Sequence, residues 1–428
     1  MTNQEKSADT HRKKFVGFGF GPIQSGLMLL EAQSSGNFDR FVIAEIDQNL
    51  VNAVRRNRSK IFVNIARFDG IEKKLLTDIE IFNPRIAKDR KAIAAAIRDA
   101  DELATAIPSV SLYGQGGESS VARLLAESID TEKPRILYAS ENNNYAAEIL
   151  QEQILKHCSK QKLRSFQILN TVIGKMSGMI HDISVINKLD LATMVPSNPY
   201  AVLVEEFNRI LVSTIRLPNF ERGIKVFEEK NDLLPFEEAK LFGHNAIHAL
   251  LGYLAFGKGY RVMSEIRHDT ELMKIGRKAF VDESGAALIR KHACIGEHLF
   301  TPTGYEAYAD DLLERMTNPC LNDEVERVCR DPKRKLAYGD RLVGAMREAL
   351  KQDVTPQIMA RGATAALRYI AAKEVEIGAN LDYPKNPDQL TDNHMRTMLE
   401  AIWKNETVDE YKDACIGLIL QGNQELRG

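Results

Sequence analysis

The sequence predicts two domains, an N-terminal α/β domain built on a parallel sheet and a mostly α-helical C-terminal domain. Short β-rich segments alternate with helical ones in the first half, which is the order typical of βαβ units. Glycines separate the first β-rich segment from the helix that follows it. From about residue 232 the apolar residues recur with helical spacing, and strand signals become rare. We therefore expect domains at residues 1–225 and 226–428.

The predicted elements follow one another in a regular order. Strands are expected within FVGFGF (15–20), FVIAEID (41–47), ELATAIPSVSL (102–112), RILYASENN (135–143) and VLVEEFNRILVST (202–214). Helical patterns lie between them in QNLVNAVRRN, SVARLLAESI and YAAEILQEQILKHC. In the second half, helical periodicity extends through LPFEEAKLFGHNAIHALLGYLAFG, TELMKIGRKAFVDESGAALIRKH, YEAYADDLLERMTN and PQIMARGATAALRYIAAKEVE.

Composition narrows the classes of protein to which the chain can belong. Its 428 residues include 57 Lys and Arg against 59 Asp and Glu, so the net charge is −2 and a general nucleic-acid binder is not expected. Five cysteines without a CxxC pair argue against a structural zinc site and suit a reducing compartment. The polar start MTNQEKSADTHRKK has no apolar segment of a signal peptide, and no apolar run reaches the length of a membrane span. We expect a cytoplasmic protein that binds neither nucleic acid nor membranes.

A glycine turn follows the first predicted strand and opens a helix. It reads Gly17-Phe18-Gly19-Phe20-Gly21, and the proline after it suits the first turn of a helix. Glycines let a backbone approach a pyrophosphate, whose charge is stabilised at the helix N-terminus. Glu45, at the end of the second strand, can accept hydrogen bonds from ribose hydroxyls and would repel a 2′-phosphate. We therefore predict a Rossmann-type domain that binds NAD rather than NADP, although Arg40 and Arg55 nearby leave NADP open.

The segment KLFGHNAIH (240–248) carries the residues best suited to chemistry. At about 100° per residue, Asn245 lies about 140° and His248 about 80° around an α-helix from Lys240, so the three share one broad face. Reducing a ketone without a metal needs a proton donor and groups that stabilise the alkoxide. A lysine can supply the proton only if its pKa falls below its ordinary value of about 10.4. His244 lies on the same arc, so spacing does not decide between the two histidines.

Several motifs together resemble one known family. The spacing Lys240-x4-Asn245-x2-His248 is similar to the signature helix of the polyol-specific long-chain dehydrogenases, the mannitol dehydrogenase family, which use no catalytic metal. The motifs Gly17-x-Gly19, Glu141-Asn142 and VEEF (204–207) fit the same family. DESGA (282–286) and NPCLNDEVERVCRDPKRKLAYGDRL (318–342) resemble its mannitol-1-phosphate 5-dehydrogenase branch. The resemblance runs from about residue 15 to about residue 375.

This resemblance implies a reaction and a role for each motif residue. Lys240 is expected to be the general acid/base, Asn142 and Asn245 to hold the substrate oxygen, and His248 to orient the substrate. The implied reaction is the NAD-dependent interconversion of a polyol or polyol phosphate and a ketose or ketose phosphate. Mannitol 1-phosphate and fructose 6-phosphate are the expected pair. Family members are often monomers, so a monomer or weak oligomer is expected.

Several alternatives stay open. Either Glu237 or Glu238 could tune the protonation of the lysine one turn later. The substrate could be the free polyol of a mannitol 2-dehydrogenase, or a hexuronate such as fructuronate or tagaturonate. A β-hydroxyacid dehydrogenase fits less well, because those enzymes pair Lys with Asn four residues on, where this chain has His244. A non-catalytic NAD-binding protein is the rival from another class.

A basic cluster stands out against the near-zero net charge. Arg330, Lys333, Arg334, Lys335 and Arg341 lie within twelve residues. A guanidinium binds a phosphate ester through two hydrogen bonds, and an ammonium binds it as a point charge. Together with the resemblance to a phosphate-using branch, this predicts that Arg334 and Lys335 bind the phosphate of the substrate. The alternative is a solvated helix end.

Overall fold

The structure, a computed structural model, describes residues 12–378 and 381–425. Most of the polar N-terminal stretch, residues 1–11, lies outside the described residues. The chain divides into two compact units, Met1–Leu233 and Leu234–Gly428. This boundary falls after residue 233 rather than after the predicted 225. The reason is a short strand, Glu228–Lys230, which pairs with Leu211–Ser213 and so joins a sheet of the first unit.

The N-terminal unit contains two sheets within the described residues. Its strands are β1 Lys13–Phe18, β2 Phe38–Ala44, β3 Ile61–Ala66, β4 Ile71–Leu76, β5 Ile79–Phe82, β6 Glu102–Thr105, β7 Arg135–Ala139, β8 Phe166–Val172, β9 Ser177–Ile180, β10 Ala201–Glu205, β11 Leu211–Ser213 and β12 Glu228–Lys230. The larger sheet has the order β12-β11-β8-β7-β6-β1-β2-β5. All neighbours from β8 to β5 are parallel, which confirms the predicted parallel sheet.

The larger sheet reverses its strand order at β1. The chain passes from β1 to β2 on one side and later returns to β6, β7 and β8 on the other. Both faces of β1 are covered, because Phe15 belongs to one apolar cluster, whereas Val16 and Phe18 belong to the other. The carboxyl end of β1 is therefore a switch point of the kind at which open α/β sheets bind ligands.

The second sheet has the order β4-β3-β10-β9 and was not predicted. It also corrects the interpretation of residues 202–214 as one late strand. Residues 201–205 pair with β3 and β9, whereas residues 211–213 pair with β8 and β12 in the other sheet. The polar segment Glu206-Phe207-Asn208 interrupts the apolar pattern between the two strands. The helices of this unit are α1 Leu30–Ser34, α2 Gln48–Arg56, α3 Ala87–Asp99, α4 Val121–Ser128, α5 Ala146–Leu155 and α6 Ile183–Lys188.

The C-terminal unit is helical over its described residues, apart from one isolated bridge between Val262 and Glu324. Its α-helices are α7 Leu234–Glu238, α8 Ala246–Gly257, α9 Thr270–Lys278, α10 Ala286–His292, α11 Pro302–Met316, α12 Val325–Val328, α13 Pro332–Lys335, α14 Arg341–Lys351, α15 Gln357–Ala372, α16 Asp392–Ile402 and α17 Lys412–Glu425. None of the helices in residues 12–378 and 381–425 has the length and hydropathy that crossing a membrane requires.

Three helices contain π-helical turns, at Gln24–Leu29, Ala239–Asn245 and Ala279–Gly285. The second of them joins α7 to α8 and contains Lys240 and Asn245. The uniform 100° spacing used for this segment is therefore wrong, because a π turn bonds residue i to residue i+5. Residues five apart then lie one above the other, which moves Asn245 closer to the face of Lys240 than an α-helix would.

Candidate active site

The glycine turn is shaped by close packing at two of its glycines. A side chain at Gly17 would collide with the side chain of Gln24. Gly19 has a φ of +81°, which L side chains rarely adopt, and a methyl group there would lie 2.6 Å from the carbonyl oxygen of Ala106. At Gly21, by contrast, a methyl group would meet no atom within 4 Å. The turn therefore requires glycine at positions 17 and 19 and faces open space at position 21.

Phe18 and Phe20 contribute to the turn through their backbones, since both side chains are buried in the core. Burial raises the pKa of Glu45 despite hydrogen bonds from the backbone amides of Asp47 and Phe20. The hydrogen bond from the Asp47 amide to the Glu45 carboxylate is 2.8 Å long. The carboxylate of Glu45 thus lies beside the glycine turn, where the sequence predicts it.

Arg40 and Arg55, which could have bound the 2′-phosphate of NADP, are both paired with carboxylates. Arg40 donates two hydrogen bonds to Glu80, of 2.7 and 3.0 Å. Arg55 donates one of 2.7 Å to Asp89 and two more to the carbonyl oxygen of Ile81. A guanidinium engaged in this way is poorly placed to take a 2′-phosphate, so these contacts favour NAD.

This part of the N-terminal unit fits the adenosine and pyrophosphate portion of a nicotinamide dinucleotide. The open space beside Gly21, together with the helix that begins at Pro22, would hold the pyrophosphate. Glu45 would accept hydrogen bonds from the ribose hydroxyls. The turn also lies at the switch point of the sheet, as the strand order requires.

The loop after β7 carries Glu141 and Asn142, which differ in their surroundings. Glu141 is buried, and its carboxylate accepts hydrogen bonds from Thr105 Oγ1 (2.8 Å), the Ile107 amide (2.9 Å) and the Tyr113 hydroxyl. Burial raises the pKa of Glu141 despite these bonds. Asn142, the next residue, is exposed. Glu141 therefore ties the ends of β6 and β7 together and fixes the backbone from which Asn142 projects.

Lys240 has the lowered pKa that a lysine general acid/base requires. Its pKa is lowered to about 8, chiefly by burial; the negative charge of Glu237 opposes this shift, and the positive charge of Arg341 adds to it. Glu238 is engaged elsewhere, because its carboxylate lies 2.7 Å from His292 Nε2 and 2.9 Å from Lys291 Nζ. Of the two candidate carboxylates, Glu237 is therefore the one that influences Lys240.

The two histidines of this helix, which sequence spacing could not separate, differ in burial and in partners. His244 is buried, and burial, aided by the positive charge of Arg315, holds its pKa well below the usual value. His248 is partly exposed, and its Nε2 lies 2.9 Å from Oδ2 of the buried Asp323. His248 also lines a cavity that His244 does not reach, so it is the better placed of the two to meet a substrate.

One cavity of the C-terminal unit, with a volume of about 250 Å³, is strongly basic. One wall is formed by Asn245, His248 and Ala249 of the lysine helix. The remaining lining residues are Arg327, Val328, Arg330, Asp331, Arg334, Lys335 and Arg341. The structure thus brings Asn245, His248, Arg334 and Lys335 of the predicted site residues together around one space.

The cations of the cavity are not equivalent. Arg327 pairs with Asp323 and Arg341 with Asp340, at 2.6 and 2.8 Å. Among the described residues, the guanidinium groups of Arg330 and Arg334 have no ion-pair partner. These two arginines therefore provide positive charge that an anion can still neutralise.

Lys335 differs from the prediction that it binds substrate. Its side chain is buried, and its ammonium group donates to the carbonyl oxygens of Val328 and Arg330. Burial, followed by the charge of Arg341, lowers its pKa to about 8. Because its donors are directed at the backbone, Lys335 holds the loop between α12 and α13 in place rather than presenting a charge to the cavity.

The sequence did not single out Asp323 or Arg327 as site residues, and it included Arg330 only as a member of the basic cluster. Arg330 belongs to the basic cluster, but its spacing does not show that it lacks an ion-pair partner. Asp323 and Arg327 are four residues apart, as an ordinary helical ion pair would be. The signal that was missed is the pairing of Asp323 with a histidine 75 positions earlier, which only the fold reveals.

Comparison with known proteins agrees with this site. Residues 232–411 match the model of the mannitol dehydrogenase C-terminal domain. Residues 232–411 are thus similar to the C-terminal domain of mannitol dehydrogenases. The resemblance drawn from the motifs is confirmed, and it supports an oxidoreductase. The motifs that carried it lie in both units, whereas the domain model covers the helical unit alone.

Two similar proteins of this family are bacterial enzymes named mannitol-1-phosphate 5-dehydrogenase. The one from Caldanaerobacter subterraneus subsp. tengcongensis is 28% identical over 356 residues, covering 83% of this chain and 86% of the relative. The one from Thermoanaerobacter pseudethanolicus is 29% identical, with the same coverage.

Two solved structures share the fold. A D-sorbitol dehydrogenase in substrate-free form matches with a TM-score of 0.73 at 12% identity, covering 99% of this chain and 96% of that one. Pseudomonas fluorescens mannitol 2-dehydrogenase, in a ternary complex with NAD and D-mannitol, matches with a TM-score of 0.64 at 14% identity. That match covers 97% of this chain and 92% of the other. These likenesses confirm the predicted order of a Rossmann-type unit followed by a helical unit.

Proposed function

We propose that this protein is an NAD-dependent dehydrogenase that interconverts a polyol phosphate and a ketose phosphate, with mannitol 1-phosphate and fructose 6-phosphate as the substrate pair. The observation that carries the proposal is the cavity in which Asn245 and His248 face the arginines Arg330 and Arg334. Amide and imidazole groups suit a polyol chain, and two unpaired guanidinium groups suit a phosphate ester. The names of the similar bacterial enzymes support the same pair.

The proposed cofactor is NAD. Bound at the glycine turn, it would supply the hydride for the carbonyl carbon in reduction and accept it in oxidation. The acidic group of Glu45 and the pairing of Arg40 and Arg55 with other carboxylates support NAD over NADP. The ternary complex of the P. fluorescens mannitol 2-dehydrogenase, which holds NAD, agrees with this assignment.

The chain's own residues would move the proton and hold the reacting oxygen. In reduction, the ammonium of Lys240 gives its proton to the oxygen of the former carbonyl and becomes a neutral amine. In oxidation the amine takes the proton of the alcohol. The amide N–H group of Asn245 would donate to that oxygen as negative charge develops. His248 would orient a neighbouring hydroxyl of the substrate.

A panel assay tests the proposal. Purified protein is given NADH or NADPH with fructose 6-phosphate, free fructose, fructuronate or tagaturonate, and oxidation of the dinucleotide is followed. We expect the kcat/KM for fructose 6-phosphate to exceed that for fructose by about 100-fold, the factor that a charge-assisted hydrogen bond to the phosphate contributes. A preference for free fructose or for a hexuronate would overturn the phosphorylated pair, and absence of turnover with every substrate would indicate a non-catalytic binding protein.

A further inference from the structure

The segment around Asp323 lies behind the basic cavity and is fixed to a neighbouring loop by backbone contacts. The carbonyl oxygen of Asp323 accepts a hydrogen bond from the Met263 amide (2.8 Å), and the Val325 amide donates to Arg261 (2.9 Å). Val262 and Glu324 form an isolated bridge between these two contacts. Asp323 is therefore held rigidly although it lies outside any helix.

The carboxylate of Asp323 divides its two oxygens between two residues of the cavity wall. Oδ1 accepts from Arg327, whose Nε and nearer terminal nitrogen lie 2.9 and 2.6 Å away. Oδ2 lies 2.9 Å from Nε2 of His248. Both atoms are buried, and among the described residues neither Oδ2 of Asp323 nor Nε2 of His248 has a hydrogen-bond partner, so their 2.9 Å separation is a close contact without the angle of a hydrogen bond. The carboxylate therefore acts on the imidazole through its charge at short range.

Asp323 remains charged in this setting. Burial by itself would raise its pKa, but the contacts with His248 and Arg327 outweigh burial and hold the pKa below its usual value. A buried carboxylate that faces an imidazole nitrogen favours the tautomer with the proton on that nitrogen. The proton then lies on Nε2, and Nδ1 of His248 carries the lone pair.

We propose that Asp323 is a positioning residue that fixes His248 with its proton on Nε2 and fixes the guanidinium of Arg327 in the wall of the same cavity. His248 then offers Nδ1 as an acceptor to a substrate hydroxyl, and Arg327 adds to the positive field that receives the phosphate. One carboxylate thereby fixes the distance between His248, which would bind the polyol chain, and Arg327, which would contribute to binding the phosphate. The kinetic part of this inference rests on the proposed function, whereas the tautomer does not.

The tautomer is measured in the wild-type protein without any substrate. Nitrogen-15 NMR of histidine-labelled protein at pH 8.5, with the His248 signals identified from a His248→Gln variant, distinguishes an Nε2-protonated from an Nδ1-protonated ring. We expect the Nε2-protonated pattern. An Nδ1-protonated pattern would overturn the proposal, and this result depends neither on the identity of the substrate nor on the folding of an Asp323 variant.

Two variants extend the test. Asp323→Asn should lose the fixed tautomer and lower kcat/KM for fructose 6-phosphate by about 10- to 100-fold, because the imidazole no longer lies against a charged carboxylate. Asp413→Asn removes the same charge from an exposed residue of α17, away from the cavity, and it should keep the wild-type NMR pattern and kcat. Equal effects of the two variants would mean that Asp323 acts only through the net charge of the protein. Inactivity of the wild type toward fructose 6-phosphate, with the Nε2 tautomer still present, would count against the proposed function and not against the positioning role.

Discussion

Two π-helical turns of the C-terminal unit carry ionisable side chains whose pKa values are displaced in opposite directions. Burial lowers the pKa of Lys240 to about 8 in the turn Ala239–Asn245, and burial raises the pKa of Glu283 to about 7 in the turn Ala279–Gly285. Both groups therefore change charge near neutral pH, which is unusual for either residue type.

The two groups differ in what surrounds them. The carboxylate of Glu283 accepts hydrogen bonds from the amides of Ile358 (2.7 Å) and Met359 (2.8 Å), at the start of the sixteen-residue helix α15. Lys240 instead precedes two residues, Asn245 and His248, that line the basic cavity. Burial accompanies helix capping in one turn and the proposed proton donor in the other, so a shifted pKa alone does not identify a catalytic group.

The largest effect is expected from Lys240→Ala. Removing the only group assigned to proton transfer should lower kcat for ketose reduction by about 10²- to 10⁴-fold, the usual contribution of general acid/base catalysis, while the Kd for NADH is unchanged. Steady-state kinetics and fluorescence titration with NADH measure the two quantities. A primary amine added to the medium should restore part of the activity, and Lys404→Ala, at an exposed lysine, serves as the control.

The pH dependence of the wild type sharpens this prediction. The proton donor in reduction is the ammonium form, so the rate should fall as the pH rises through about 8. Oxidation needs the neutral amine, so its rate should rise through the same pH. Wild-type-like turnover in Lys240→Ala, or profiles without a transition near pH 8, would exclude Lys240 as the acid/base.

Sequence reasoning predicted a chemistry for the lysine helix but did not predict its π-helical geometry. The glycine turn, Glu45 and the lysine motif are patterns of residues that lie close together in the sequence. Such patterns can be recognised without knowledge of the tertiary fold. The roles of Glu283 and Asp323 depend on contacts with residues 75 positions away, Ile358 in one case and His248 in the other. No periodicity or spacing rule reports such pairs, because they are created by the packing of separate helices.

The basic cluster shows the same limit within a short segment. Charge could be counted from the sequence, and Arg334 lines the cavity as predicted. The burial of Lys335 could not be inferred, since its neighbours Lys333 and Arg334 on α13 are exposed. Two adjacent cations therefore differ in function because a four-residue helix directs one of them inward.

An intermediate effect is expected from Arg334→Met. Removing one charge-assisted hydrogen bond should raise KM for fructose 6-phosphate by about 10- to 100-fold and leave kinetics with free fructose nearly unchanged. Lys333→Met, at the preceding exposed residue of α13, does not alter the cavity lining and is the matched control. Lys335→Met should instead lower the Tm, because two backbone carbonyls are deprived of their donor. Equal KM values for the Arg334 and Lys333 variants would remove Arg334 from the phosphate site.

The smallest effect is expected at Glu283, and it concerns stability. Its folded-state pKa of about 7 lies above the ordinary value of 4.5, so the folded protein binds more protons than the unfolded chain between these pH values. The contribution of Glu283 to stability is therefore fully present below about pH 4.5 and is lost as the pH rises through about 7. Glu283→Gln carries no charge and, like a protonated Glu283, keeps one carbonyl oxygen as an acceptor beside the amides of Ile358 and Met359. Its Tm should match that of the wild type at pH 5 and exceed it by a few degrees at pH 8.

Two further variants separate charge burial from capping in the thermal unfolding curves. Glu283→Ala removes the acceptor as well as the charge. Its free energy of unfolding should therefore be lower than that of Glu283→Gln by about 1 kcal/mol, the cost of an uncapped helix start, and its Tm should be lower at both pH values. Glu400→Gln, at an exposed residue of α16, should leave the pH dependence of the wild type unaltered. If Glu283→Gln lost stability between pH 5 and 8 as steeply as the wild type does, the titrating group would lie elsewhere. The contrast between the two π turns would then rest on Lys240 alone.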